Sequence, residues 1–61
     1  MMWVSYDFEN GERHAVRVKS AHDARALVWK INKSIDAKNA EITYDKPQAD
    51  KHVDIFGVEN V

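Results

Sequence analysis

The sequence predicts an α+β domain, a small antiparallel sheet of three or four strands (ββαβ or ββαββ) with one helix packed on one face. Three observations carry this. Apolar residues alternate with period two near both ends of the chain, a single run after residue 20 has helical spacing, and an Asn-Gly pair divides the first alternating stretch.

Residues 2–8 set Met2, Val4, Tyr6 and Phe8 on one side and Trp3, Ser5 and Asp7 on the other. Residues 12–19 do the same with His14, Val16 and Val18 against Arg13, Ala15, Arg17 and Lys19. A two-residue turn at Asn10-Gly11 would put Val16 on the face of Ser5 and Asp7. A slip of one residue is heavily penalised when one face is buried. A three-residue loop, Glu9-Asn10-Gly11, restores the faces as a type I turn followed by Gly in the left-handed region. Tyr6 then opposes His14, Val4 opposes Val16, Asp7 meets Arg13 and Trp3 meets Arg17. An ion pair and a cation–π pair are the expected cross-strand contacts.

Ser20-Ala21-His22-Asp23 reads as a capping box, and Asp23 suits the positive end of a helix. Ala24, Leu27, Val28, Ile31 and Ile35 follow at helical spacing, which predicts a helix over about 21–37 ended by Asn39 in the left-handed region. Residues 40–45 alternate as a third strand, residues 46–51 form a loop around Pro47, and Val53-Asp54-Ile55 opens a fourth strand. The phase breaks at Ile55-Phe56 before Gly57, which reads as a bulge or a strand end, and residues 57–61 read as a loose tail. The whole of 1–61 is one small domain.

A compact arrangement places strand 3 beside strand 1, in order 4-3-1-2, all antiparallel. The expected core is Val4, Tyr6, Phe8, Val16, Val18, Leu27, Val28, Ile31, Ile35, Ile42, Tyr44 and Ile55. The other sheet face is expected to be open, with Trp3, Ser5, Asp7, Arg13, Ala15, Arg17, Lys19, Glu41 and Thr43.

Charge is segregated. Residues 13–38 hold seven cations against two acids, and the segments on either side each carry −3, for a net charge of −1. The basic footprint of a nucleic-acid binder is absent at the level of the chain. There are no cysteines, so neither disulfides nor thiolate zinc sites can staple a small core, and self-association is the remaining device. The N-terminal residues lack the basic flank and apolar run of a signal peptide, and no stretch is long enough to span a membrane, so a cytoplasmic protein is expected.

Two constellations stand outside the core pattern. Trp29 lies about 140° around the helix from the apolar stripe, with Arg25 and Lys33 one turn to either side. This is either an aromatic anchor framed by cations, as at interface hot spots, or a ring covered by those side chains or by the C-terminal segment. Trp3 shares its face with Arg13, Arg17 and Lys19, the chemistry of a platform that stacks single-stranded bases. The reading favoured over it is a solvated sheet face with a Trp–Arg cross-strand pair, since one ring is a thin platform and acids share the face.

His14, His22 and His52 lack the spacing of a metal site, and no metal or cofactor is expected. Ser5, Ser20 and Ser34 have no histidine brought to them, Asp7 is held ionised by Arg13, and two glycines make no phosphate loop, so no catalytic residue is expected. The reading is a small non-enzymatic protein-binding module, self-associating or inhibitor-like, with Trp29, Arg25, Lys33, Trp3 and Arg17 as its contact residues. Its partner is another protein or a second copy. The alternative is a weak single-stranded nucleic-acid binder using the Trp3 face.

Overall fold

A computed structural model describes residues 2–54. Five elements follow in the order β1 (Met2–Phe8), β2 (Arg13–Val18), α1 (Ala21–Lys33), β3 (Ala37–Thr43) and β4 (Lys51–Asp54). The α+β class and the ββαββ order hold, and the four strands form one sheet with the helix on one face.

The hairpin has the expected register. Trp3 opposes Arg17, Val4 opposes Val16, Tyr6 opposes His14 and Asp7 opposes Arg13. The loop is the three-residue one: Phe8 N–H donates to the Glu12 carbonyl, Gly11 N–H donates to the Phe8 carbonyl, and Gly11 sits at φ 89. Asn10 Oδ1 accepts from the Glu12 N–H and fixes the turn from within.

Ser20 caps the helix, its Oγ accepting from the Asp23 N–H at 3.2 Å. The helix ends at Lys33, four residues short of the sequence expectation. Ser34 turns extended (φ −83, ψ 143), and its Oγ accepts from the Asp36 N–H. A serine that satisfies the backbone locally competes with the next helical turn, so Ile35 leaves the core side and is 98% exposed.

Asn39 does take the left-handed conformation (φ 57), but inside β3 and not as a helix terminator. Ser5 pairs with Glu41 and Asp7 with Lys38, so two residues of β3, Asn39 and Ala40, stand against the single Tyr6. This is a β-bulge with its left-handed residue supplied by Asn. The strand therefore starts three residues earlier than its alternation suggested.

The sheet order is β3-β1-β2-β4, with β4 parallel to β2 and not antiparallel beside β3. The expected order 4-3-1-2 is thus corrected at its fourth strand. Handedness explains where the connection goes. From β2 through α1 to β3 the chain crosses the sheet one way between parallel strands. From β3 to β4 it crosses the opposite way. The right-handed sense that parallel crossovers keep puts the two connections on opposite faces. Residues 44–50 thus run across the face away from the helix, and Ser5 (3% exposed) and Ala15 (0%) are buried there.

The core under the helix is Val4, Val16, Val18, Ala24 and Ile31, edged by Met2, Tyr6, Leu27, Val28, Ala37 and Ala40. Phe8 is half-buried, stacked on His14 with centroids 5.2 Å apart. Ile35, Ile42 and Tyr44, all expected inside, are exposed. Ile42 is on the edge strand, and Tyr44 lies past its end. Ile55, the break at Ile55-Phe56 and the tail 57–61 lie outside the described residues.

Candidate interaction surface

The face of Trp3 is closed by polar side chains. Arg13 is its hub. One guanidinium nitrogen reaches Asp7 Oδ1 (2.8 Å) and the Asn39 carbonyl (3.2 Å), and the other reaches Glu41 Oε1 (2.9 Å) and Ser5 Oγ (3.1 Å). Asp50 clasps the backbone of the same residue from both sides, its carboxylate accepting from Arg13 N–H and its N–H donating to the Arg13 carbonyl. One arginine thus ties together β1, β2, β3 and the crossover. Arg17 pairs with Asp54 on β4 at 3.2 Å.

Trp3 is half-buried, and His52 meets it edge-on with centroids 5.7 Å apart, while His52 Nε2 lies 2.9 Å from the Pro47 carbonyl. The expected open platform of Trp3, Arg13, Arg17 and Lys19 is therefore corrected. Trp3 lies against His52 of β4 and the two arginines face carboxylates, while Lys19 stays exposed just past the end of β2. Residues 46–50, Arg13 and His52 line an open depression of about 670 Å³. Its Arg13, Asp50 and His52 are engaged as described.

Two carboxylates respond to this packing. Hydrogen bonds, first from Asn39 Nδ2 and then from Arg13, hold the Asp7 carboxyl below its ordinary range. Glu12 is lowered by its bond from Asn10 Nδ2 and by His14, whose Nε2 lies 3.2 Å away. His14 is half-buried at the sheet margin as expected, and His22 is exposed. Among the described residues no three acidic or histidine side chains gather as a metal site.

The helix presents the other candidate. Trp29 is 64% exposed, and Lys33 places its ammonium 5.2 Å from the ring centroid. Arg25, one turn earlier, is exposed. Trp29, Arg25 and Lys33 therefore share one outward stripe of the helix. Trp3 and Arg17 belong to the opposite side of the sheet, so the five expected contact residues form two groups. Sequence periodicity assigns Ile35, Ile42 and Tyr44 to the core, whereas each of the three is exposed. The roles of Asp50 and Asn39 had no signal in spacing, since both act through the crossover and the bulge.

No family model, curated protein or solved structure matches the chain.

Proposed function

We propose that this chain is a small non-catalytic protein-binding module of the cytoplasm that self-associates and acts by occupying a surface. The observation that carries the reading is the contrast between its faces. The charged sheet face satisfies itself, whereas large apolar side chains stand in solvent at Trp29, Ile35 and Tyr44. Three large apolar side chains left in solvent on so small a chain support a contact role. A core in which, among the described residues, only Val4 and Val18 are fully buried side chains larger than methyl gains from any further burial.

Light scattering across a dilution series tests it. A dimer or larger species at high micromolar concentration is expected, dissociating on dilution. A monomer mass throughout would overturn the self-association. Trp29→Ala then separates two surfaces. Association weaker by about 2 kcal/mol, the cost of truncating an aromatic anchor, puts the contact on the helix. Unchanged association puts it on the sheet edge.

A further inference from the structure

The outer edge of β3 carries a more specific arrangement, which rests on the self-association proposed above. Among the described residues β3 pairs only with β1, so its other side presents unpaired backbone groups over seven residues, the usual template for adding a strand. Two-fold pairing of a strand with its own copy sets residues opposite one another only if they point to the same face. Residues three apart normally point to opposite faces. The bulge at Asn39-Ala40 removes that obstacle. Lys38, opposite Asp7, and Glu41, opposite Ser5, both lie on the crossover face, while Ala37, opposite Phe8, and Ile42, opposite Val4, both lie on the helix face.

We propose that the chain dimerises through this edge, β3 pairing antiparallel with a second copy so that Lys38 opposes the partner's Glu41 and Ala37 opposes the partner's Ile42. Charge favours the register. Each two-fold pairing makes the Lys–Glu contact twice, and Lys38, whose charge already acts on Asp7 across the strands, has no salt bridge within 4.0 Å among the described residues of its own chain. Glu41 is 67% exposed at its side chain even while it holds Arg13, so oxygen remains for a second cation. Apolar groups favour it too. Ile42 gains cover from the partner's Ala37, and the same register carried past the strand ends brings Ile35 toward the partner's Tyr44, the two most exposed large apolar side chains described. The two bulges meet at the axis and interrupt the ladder there, so the flanking pairs hold it. Both helices then stand on one face of an eight-stranded sheet, with each Trp29 pointing away from it.

Single-cysteine chains test the register, because the native chain has no cysteine to interfere. Ala37→Cys and Ile42→Cys are prepared separately, checked for fold by circular dichroism, and oxidised alone and as a 1:1 mixture. Disulfides need Cα atoms roughly 4.4–6.8 Å apart. Only the mixture offers that, because like cysteines would be separated by about 12 Å or more along the strands. Cross-linked dimer in the mixture and little in either chain alone is the expected result. Lys38→Glu, which sets two acids opposite each other twice, should weaken the dimer roughly tenfold, while Trp29→Ala leaves it intact. A dimer mass by light scattering without selective cross-linking in the mixture overturns the edge pairing and leaves self-association standing. A monomer mass at high micromolar concentration sinks both.

Discussion

Gly11 and Asp7 show how single residues decide this structure. Gly11 sits at φ 89, where only glycine is unstrained, and a Cβ built there meets no atom within 4 Å. The cost of Gly11→Ala is therefore purely conformational, about 1 kcal/mol. Urea titration should show the midpoint fall without a change in slope, and unchanged stability would contradict the turn geometry. Asp7 is anchored by Asn39 and Arg13, which lower its pKa in the folded state. A depressed carboxylate contributes stability that is present above its unfolded pKa and lost as pH falls through the folded value. The domain should thus weaken on acidification below about pH 4, where unfolded carboxylates begin to protonate. Asp7→Asn should flatten that dependence, and denaturation midpoints measured from pH 6 downward read it directly. If the two proteins lose stability in parallel, the Arg13–Asn39 contacts do not control the titration.

Among the elements, β3 departs most from its alternation, and the bulge is the reason. Asn39 combines a left-handed backbone, an amide bonded to Asp7 and a carbonyl bonded by Arg13. Replacing it by Ala removes the side-chain bond and strains the backbone by about 1–2 kcal/mol. Replacing it by Gly removes only the bond. Asn39→Ala should therefore be the more destabilising of the pair, and thermal melts of the two variants should differ by several degrees in that direction. Equal melting temperatures would mean that the bulge relaxes when Asn39 is replaced. The hairpin was fully legible in the sequence because two alternating strands and a loop length leave one register that keeps apolar residues together. The helix start was legible from Ser20. Its end was not, since periodicity ran on to Ile35 while the Ser34 hydroxyl, a local competitor, stopped the helix. The site of β4 was not legible either. Lys51-His52-Val53-Asp54 carries one apolar side chain, too little to choose between two edges. The choice rests on contacts distant in sequence, Asp50 on the Arg13 backbone and Asp54 on Arg17. Trp29 is legible as off-core because helical spacing alone decides it, and the ring is 64% exposed.

At the scale of the molecule, the sheet face that the sequence reading leaves open is the face the polar network closes. An aromatic on a sheet face among arginines is the chemistry of base stacking, and it needs a ring face open to a base and cations free for phosphate. Here Trp3 is half-buried against His52, Arg13 is committed to Asp7, Glu41, Ser5 and Asn39, and Arg17 faces Asp54. The net charge of −1 offers no compensating long-range attraction. Binding of a polyanion is driven largely by counterion release, in proportion to the cations available for phosphate. A labelled single-stranded oligonucleotide should therefore show little or no anisotropy change with this protein near physiological salt, and what binding appears at low salt should vanish as salt is raised. Lowering the ionic strength does not free Arg13, because its ion pairs with Asp7 and Glu41 strengthen as screening falls. Submicromolar binding at physiological salt that Trp3→Ala abolishes would require His52 to leave the Trp3 ring and the arginines to leave their carboxylates. It would make the covered face the working surface of the molecule in place of the helix and the β3 edge.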